Sequence, residues 1–544
     1  MNDDPAIRRE VGAWALMFTG LGSIIGSGWL FGAWRAAQLA GPGAIYAWII
    51  GAVVILFVAL TYAELGAMFP ESGGAVRYGH YSHGSLVGFL AGWAAWIAIV
   101  SVIPVEAEAS VQYMSSWPQA WAQALYLHAA SGQGELSIAG LGICAVLVVI
   151  YFLLNFWSVK VFAGTNSAIT FFKLIVPAAT SVVLMCSGFH WENFHVGVHG
   201  GPHVGNLASI LTAVATSGIV FSYNGFQSPV NLAGEARNPG RSVPFAIFGS
   251  IALSTVVYLL LQVAFLGAVA PDHLREGWAG LEYSSPFAQL AVAMNLNWLA
   301  ILLYADAFVS PSGTGTTYTA TTARMIYAME RSDTLPKVFG RVHPRFGIPR
   351  PAMWFNLLVS FIFLFFFRGW GKLAAVISVA TIITYLVVPI SVMVLRRTAP
   401  KLHRPMRVAG LHVLAPIAFV LATLMLYWAR WPHTGQIMLL LILPMPVYVY
   451  FQAKAGWRDF RRHLRGAWWL IGYLVTVVAL SWAGSAQFEG HGYIAYGWDQ
   501  LCVALAALLF CFLGVRSGWR TPAVEAAEAA LTGEALNARD PPGA

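Results

Sequence analysis

The chain is poor in charged residues. Asp, Glu, Lys and Arg make up 10% of its 544 residues, whereas 58% are hydrophobic. Soluble globular domains carry about 25% charged residues, so this composition excludes an ordinary soluble protein and indicates one that crosses a membrane many times. The net charge of +8 comes from basic residues in short loops between apolar runs, and we therefore expect no nucleic-acid partner.

Cysteine is also scarce, and patterns for catalysis or metal binding are missing. We expect four free, buried thiols in apolar stretches rather than a disulfide framework: Cys144, Cys186, Cys502 and Cys511. His195, His199 and His203 recur every four residues, but Gly200-Gly201-Pro202 would interrupt a helix there, which favours an external loop over a metal site. No nucleophile–base arrangement, phosphate loop or HExxH motif is present, so we expect neither an enzyme nor a bound cofactor.

Long apolar runs dominate the chain instead. A membrane-spanning helix needs about 20 apolar residues, and on this basis we predict about fourteen spans. They cover roughly residues 12–37, 43–69, 86–114, 136–156, 162–188, 205–233, 243–270, 286–328, 351–368, 371–396, 411–430, 434–452, 467–486 and 496–515. Asp3, Asp4 and the length of the first apolar run argue against a cleaved signal peptide.

The basic residues support an even number of spans. Lys173 lies within a span, and only a few of the 31 Lys and Arg residues fall on one side of the predicted membrane: Arg35, Arg275, Arg368, Lys372 and Arg430. All the others fall on the side of the two termini. Because basic loops are retained in the cytoplasm, we expect an inner-membrane protein with both termini cytoplasmic.

The first span is punctuated by glycine. Residues 22–32 read GSIIGSGWLFG, so a stretch of backbone at mid-depth lacks side chains. One interpretation is helix packing, because Gly22 and Gly26, and likewise Gly28 and Gly32, have the spacing of small-residue contact motifs. The other is a broken helix, whose second half would present free amides and a partial positive charge to a carboxylate.

The sixth span carries a second interruption. Asn224-Gly225 and Pro229 lie within a few residues of each other in an apolar run, and a proline inside a helix removes one hydrogen bond and clashes with the preceding turn. Lipid offers no partner to the freed backbone groups, so two such breaks favour a ligand site. Unwound carbonyls at one break and free amides at the other would suit an α-amino acid.

Both strings resemble the amino acid–polyamine–organocation (APC) superfamily of transporters. The matching residues are Gly26-Ser27-Gly28 in the first span, and Phe221, Gly225, Ala233-Gly234-Glu235, Arg237-Asn238-Pro239, Arg241 and Pro244 in and after the sixth. The number of spans, the string at 25–32 and the run from Pro104 to Ala109 are most similar to the aspartate/glutamate–proton symporter branch.

The resemblance implies a fold and a site. The fold is an all-α polytopic membrane protein whose core consists of two inverted repeats of five spans, with helices 1 and 6 broken. The segments would be a cytoplasmic N-terminus at 1–11, the transport core at 12–400, additional membrane helices at 401–516 and a cytoplasmic tail at 517–544. The implied substrate-binding residues are Ser23, Gly26, Ser27, Gly28, Phe221, Ser222, Asn224, Gly225 and Gln227, with Phe221 as an aromatic gate.

One position departs from the family pattern. Many members carry Glu where this chain has Gln227. Because a glutamine amide does not titrate, we expect any contact of Gln227 with substrate to be neutral.

Ionisable residues at membrane depth are costly and suggest function. Lys173 lies deep in the fifth span, where the resemblance implies that a lysine replaces a sodium ion in proton-coupled members. The alternative is snorkelling to the cytoplasmic interface. Glu106 and Glu108 in the third span and Asp306 in the eighth could carry a proton or could face an outer vestibule.

We therefore expect an amino acid transporter in which Lys173, Glu106 and Asp306 are the candidates for coupling to H⁺. Its partners would be a small-molecule substrate, namely an amino acid, with aspartate or glutamate implied by the branch resemblance, and the lipid bilayer. An amino acid or amine exchanger of the same fold and a non-transporting nutrient sensor remain alternatives. The oligomeric state is left open by the sequence.

Overall fold

The computed structural model describes residues 11–70, 74–127, 134–157, 159–199, 206–331, 334–343, 348–457 and 459–529. Helices make up nearly all of the regular structure there, as expected where lipid leaves backbone groups without partners. The predicted N-terminal segment 1–11, apart from Val11, and the end of the tail from 530 lie outside the described residues.

The first eight helices include the two halves of the first span. They are α1 (Ala13–Ile24), α2 (Gly28–Ala40), α3 (Ala44–Met68), α4 (Gly74–His83), α5 (Ser85–Val100), α6 (Val102–Met114), α7 (Ala120–Gln123) and α8 (Ile138–Trp157). Between α7 and α8, β1 (Tyr126–Leu127) pairs antiparallel with β2 (Glu135–Leu136), Tyr126 opposite Leu136.

The next seven helices include the pieces of the sixth span. They are α9 (Val159–Ser187), α10 (Leu207–Thr216), α11 (Ile219–Tyr223), α12 (Ser228–Asn231), α13 (Pro239–Ala268), α14 (Pro286–Ala293) and α15 (Asn297–Arg331). The last seven are α16 (Arg350–Phe366), α17 (Trp370–Thr398), α18 (Leu411–Trp428), α19 (His433–Ile442), α20 (Met445–Lys454), α21 (Phe460–Ala483) and α22 (Trp498–Ser517). Residues 522–529 of the tail are also helical.

Ten of the described helical segments are long and apolar enough to cross a membrane, or eleven if the pair bent by 47° at 217–218 counts as one span. Each of the predicted spans coincides with one helix or with adjacent helices. The lower count arises because α2 and α3 run together as one helical stretch of 41 residues, α16 has only 17 residues, and α15 is rich in hydroxyl side chains. A polytopic all-α fold is confirmed, whereas the count of fourteen and the inverted repeat stay predictions.

Two spans form the centre of the bundle. In the most apolar stretch of α17 and of the α5–α6 span, 89% of the residues are buried inside the protein, against 28% in α22. The peripheral helices instead carry exposed apolar side chains such as Leu505 and Phe512, which suit contact with lipid. The α17 and α5–α6 spans can therefore hold polar groups away from lipid.

The prediction of four buried thiols is wrong for two of them. Cys144 and Cys511 are buried, but Cys186 is exposed and Cys502 is partly exposed. An apolar stretch in a membrane helix includes positions that face lipid as well as positions that face protein. Composition alone could not separate the two.

One end of the bundle, which we call the basic face, carries the start of α1, the connection 236–238 and the connection 399–410. Val11 pairs there with Ala236 in a parallel bridge, in which Val11 N donates to Glu235 O at 2.9 Å and Arg237 N donates to Val11 O at 3.0 Å. The segment entering the first broken helix is thus bonded to the segment leaving the second.

A buried ion pair closes the same face. Glu64, near the end of α3, is fully buried and accepts from Arg396 Nε at 2.7 Å and from Val408 N at 2.9 Å. Arg396 Nη2 bonds the second carboxylate oxygen, and Arg404 Nε lies 3.9 Å from the first. Both oxygens of Glu64 are therefore satisfied, which is typical of a structural carboxylate.

We predict that Glu64→Ala destabilises the folded protein by about 3 kcal/mol, because removing one partner of a buried pair leaves the other charge uncompensated. The measurement is the melting temperature of the purified protein in detergent. Glu135→Ala is the matched control, since Glu135 pairs with Lys372 at the surface, and exposed pairs contribute about 0–1 kcal/mol. Equal melting temperatures for the two variants would contradict the prediction.

Candidate functional site

The first predicted span is broken near its middle. The last residue of α1 is Ile24 and the first of α2 is Gly28, and between them Gly26 N donates to Ile24 O at 3.1 Å instead of continuing the helical pattern. The next amide, Ser27 N, donates to the side chain of Glu106 at 2.8 Å. At Gly26 the geometry therefore agrees with a broken helix rather than with a continuous helix packed through its glycines.

The second break lies between α11 and α12. Asn224 has an extended backbone and Gly225 has φ +118°, a conformation that glycine adopts without strain. Gln227 Nε2 donates to Asn224 Oδ1 at 2.8 Å, and Gly225 N donates to Gln227 Oε1 at 3.2 Å. Gln227 thus braces the unwound turn from within.

The two breaks touch each other. A Cβ built on Gly225 would lie 2.7 Å from the backbone carbon of Ser23, and a Cβ on Gly28 would overlap the Ser222 hydroxyl. Glycine at these positions lets two unwound backbones approach to van der Waals distance. The two glycines therefore explain why one small site forms rather than two separate ones.

Two tyrosine hydroxyls bridge the breaks. Tyr258 Oη lies 3.2 Å from Ile24 O and 2.9 Å from Ser222 O, and Tyr318 Oη lies 3.3 Å from Ser23 O and 3.5 Å from Asn224 O. A hydroxyl has a single hydrogen to donate. Each phenol therefore offers one hydrogen to two freed carbonyl oxygens. Carbonyl oxygens at both breaks can consequently still accept a hydrogen bond from a ligand.

A buried lysine joins the first break to α15. Lys173, from α9, is 2% exposed, and its ammonium donates to Gly22 O at 3.0 Å and to Thr314 Oγ1 at 2.6 Å. Thr314 Oγ1 also lies 3.5 Å from Ile25 O. The Lys173 side chain points into the protein and does not extend towards the cytoplasmic interface, as snorkelling would require.

Two buried carboxyl groups face the same lysine. Glu106, from α6, and Asp306, from α15, are both fully buried and lie within electrostatic reach of Lys173. Ser310 Oγ donates to Asp306 Oδ1 at 2.8 Å. The structure thus brings all three candidates for proton coupling together from three helices. Glu108 faces Gly369 and Cys144 instead.

Aromatic side chains cover the opposite side of the break from the basic face. Phe221 packs edge-on against Trp370, with ring centroids 5.8 Å apart, and Phe31 packs on the same indole at 4.8 Å. Trp370 Nε1 donates to Ser27 Oγ at 2.8 Å. The three rings form a layer over Gly26-Ser27-Gly28. The role of Phe221 as an aromatic gate stays a prediction.

Towards the basic face, a cleft reaches the second break. It is lined by Tyr62, Ala98, Gln227, Met325 and Thr384, among others. Gln227 is the only member of the predicted substrate-binding set that lines this cleft.

Known proteins match the sequence of this chain over almost its whole length. A family model described as amino acid permease matches residues 11–449. The chain belongs to the amino acid permease family. This permease is 57% identical over 515 residues, 95% of each chain, to a glutamate/serine transporter of Bacillus subtilis (strain 168). It is 35% identical over 529 residues, 96% of this chain and 99% of the relative, to an aspartate-proton symporter of the same organism.

The comparisons confirm the family expected from the motifs. The protein is a multi-pass membrane permease of the APC superfamily whose substrate is an amino acid, and its relatives are transporters rather than enzymes. A more distant relative, 24% identical over 466 residues, is a branched-chain amino acid permease of the same organism. The alignment covers 83% of this chain and 94% of the relative.

The predicted site residues gather around the two breaks, and their roles stay predictions. Ser23 Oγ and Asn224 Nδ2 are buried without a hydrogen-bond partner among the described residues, so the hydroxyl can still donate to or accept from a ligand and the amide nitrogen can still donate to one. Ser222 Oγ donates to Gly218 O at 2.8 Å. The His195–His199–His203 pattern has His195 at the end of a short 3₁₀ turn, and His203 lies outside the described residues.

Several permease residues at the site were missed from the sequence: Thr314, Tyr318, Tyr258 and Trp370. The run of hydroxyl residues in α15 was the signal available for Thr314 and Tyr318. No comparable signal marks Tyr258 or Trp370, because an aromatic residue in an apolar span is usually core.

We predict that Gly225→Ala abolishes transport while the protein still inserts, because Ala fits neither φ +118° nor the contact with Ser23. The measurement is uptake by cells corrected for membrane protein level. Gly410→Ala is the matched control, since Gly410 also has positive φ, +66°, but nothing lies within 4 Å of its added Cβ. Transport by Gly225→Ala at the level of Gly410→Ala would contradict a tight contact between the breaks.

Proposed function

We propose that the protein is a proton-coupled symporter that imports glutamate, aspartate or serine across the inner membrane, with the basic face and both termini in the cytoplasm. The relatives named for glutamate and serine and for aspartate and protons support the substrate class. The concentration of Lys and Arg at the basic face supports the orientation. The division into a core at 12–400 and added helices at 401–516 belongs to the same proposal.

Recognition would use the groups that all α-amino acids share. The substrate carboxylate would approach the Gly26-Ser27-Gly28 amides at the positive end of α2. The ammonium group would approach the freed carbonyls of both breaks, where one phenol hydrogen now serves two acceptors. Ser23, Ser222 and Asn224 would line the space between them. Recognition of the backbone groups allows both an acidic and a hydroxyl side chain.

The observation that carries proton coupling is the Lys173 ammonium, which ties Gly22 O in α1 to Thr314 in α15. An ammonium has three donors, and a neutral amine has two and no charge. Loss of the proton would weaken the tie to the first broken helix and let α1 separate from α15. We propose H⁺ as the coupling ion and no further cofactor.

The test is uptake of labelled glutamate, aspartate, serine and leucine into proteoliposomes, with and without an inward proton gradient and with unlabelled substrate inside or absent. Symport predicts gradient-driven accumulation of the first three into vesicles that hold no substrate. Uptake only into preloaded vesicles would instead establish an exchanger. Binding without uptake under any condition would favour a sensor.

We predict that Lys173→Ala reduces gradient-driven accumulation to the level of protein-free vesicles, because the proton-dependent tie between α1 and α15 is gone. Lys454→Ala is the matched control, since Lys454 is exposed at the end of α20, and it should behave as the unmodified protein. Unchanged accumulation by Lys173→Ala at normal protein level would remove Lys173 from proton coupling.

A further inference from the structure

The amide expected to receive the substrate already has an occupant. Ser27 N donates to Glu106 Oε2 at 2.8 Å, across 79 positions of sequence, and both residues are 0% exposed. The Ser27 hydroxyl interacts with the same carboxylate. Glu106 therefore lies at the break, where a substrate carboxylate would lie, rather than in an outer vestibule.

The surroundings are shaped for a carboxylate. A Cβ on Gly26 would lie 2.5 Å from Glu106 Oε1, so the missing side chain provides the room that the group occupies. Ser27 precedes α2 without capping it through its own side chain. The positive end of α2 is thus satisfied by a residue from another helix, α6.

The contact differs from a structural carboxylate in the same protein. Glu64 has both oxygens bonded, by Arg396 and by the amide of Val408. Glu106 Oε1 has no hydrogen-bond partner among the described residues, although it is buried. A buried acceptor without a partner costs free energy, so Glu106 is poorly suited to a purely stabilising role. Because only one of its two oxygens is bonded, the carboxylate can leave the Ser27 amide more easily than Glu64 can leave its partners.

The groups that face Glu106 come from four neighbouring helices. Lys173 in α9 is the charged group nearby, and it is also within electrostatic reach of Asp306 in α15; its ammonium bonds neutral oxygens rather than forming an ion pair with Glu106. The phenols of Tyr151, Tyr258 and Tyr318 complete the surroundings. The charge on Glu106 is therefore balanced at a distance and not held in place by a direct cation.

We propose that Glu106 is a built-in competitor for the substrate carboxylate: its ionised carboxylate occupies the Ser27 amide in the empty transporter and must take up a proton before the amino acid can bind there. This rests on the proposed function, in which Ser27 N receives the substrate. A proton from the outer aqueous side forms an O–H bond on Glu106, and the neutral acid is a weaker acceptor and releases the amide.

The cycle closes on the other side of the membrane. When the substrate leaves towards the basic face, Glu106 gives its proton to water there and its carboxylate returns to Ser27 N. Two ionised carboxylates cannot share one amide in a site of low dielectric, because like charges repel strongly there. Proton and amino acid would then travel together without any contact between them.

The test is equilibrium binding of labelled glutamate and of labelled serine to the purified protein across acidic to alkaline pH. The unmodified protein should bind more weakly as pH rises, since the apparent affinity falls with the fraction of molecules whose Glu106 is protonated. Glu106→Gln, which keeps the shape and lacks the charge, should show a clearly smaller pH dependence, because Lys173 is then the only one of the two groups that still titrates, and it should bind about tenfold or more tightly than the unmodified protein at alkaline pH. It should also exchange substrate without gradient-driven accumulation.

Glu108→Gln is the matched control, because Glu108 lies two residues along α6, is equally buried and does not face Ser27. It should keep the pH dependence of the unmodified protein. If Glu106→Gln is not monodisperse, Glu106→Asp replaces it: the side chain is one methylene shorter, so binding at alkaline pH should again be tighter than in the unmodified protein.

Three outcomes would overturn the inference. They are an unchanged pH dependence in Glu106→Gln, loss of binding at every pH in a monodisperse Glu106→Gln, and a Glu106→Asp variant that binds as the unmodified protein does. Failure of the proposed function is a different result, seen as absent gradient-driven accumulation by the unmodified protein. Equilibrium binding reports on Glu106 in either case.

Discussion

The structure depends on one constraint, which is that every backbone group freed inside a membrane must find a partner in the protein. Unwinding α1–α2 and α11–α12 frees carbonyls and amides at the same depth. The phenols of Tyr258 and Tyr318, the ammonium of Lys173 and the carboxylate of Glu106 meet that demand. These side chains come from four other helices, so the site is where most of the core converges.

The hydrogen-bond partners at the breaks satisfy the freed backbone groups but leave some hydrogen-bonding capacity unused. A phenol shared between two carbonyls and a carboxylate with one free oxygen hold the empty site together at a modest cost in free energy. A fully bonded site would be more stable and would have no reason to accept a ligand. Glu64 and Glu106 illustrate the two extremes with one residue type: the first has every oxygen bonded and fixes the basic face, and the second keeps an oxygen unused at the centre.

Much of this could be predicted from the sequence, for reasons that can be named. Gly26, Gly28, Gly225 and Pro229 act on the backbone within a few residues, so the breaks were visible as local exceptions in apolar runs. Lys173 was visible because a charge at membrane depth is rare. The cross-chain contacts were not visible. The hydrogen bond that Ser27 N donates to Glu106 and the one that Trp370 donates to Ser27 join positions 79 and 343 residues apart, and nothing in the local sequence marks either. The exposure of Cys186 depends on which side of a helix faces lipid, which the apolar pattern does not specify.

The bridge between Val11 and Ala236 has a mechanical meaning. Two backbone hydrogen bonds connect the segment that enters α1 with the segment that leaves α12, and so couple the halves of the two broken helices that lie towards the basic face. A path to the basic face cannot then be opened by swinging one half-helix alone. Either both half-helices move together about the breaks, or the two hydrogen bonds between them break first. In the second case, these two hydrogen bonds would control whether the path to the basic face opens.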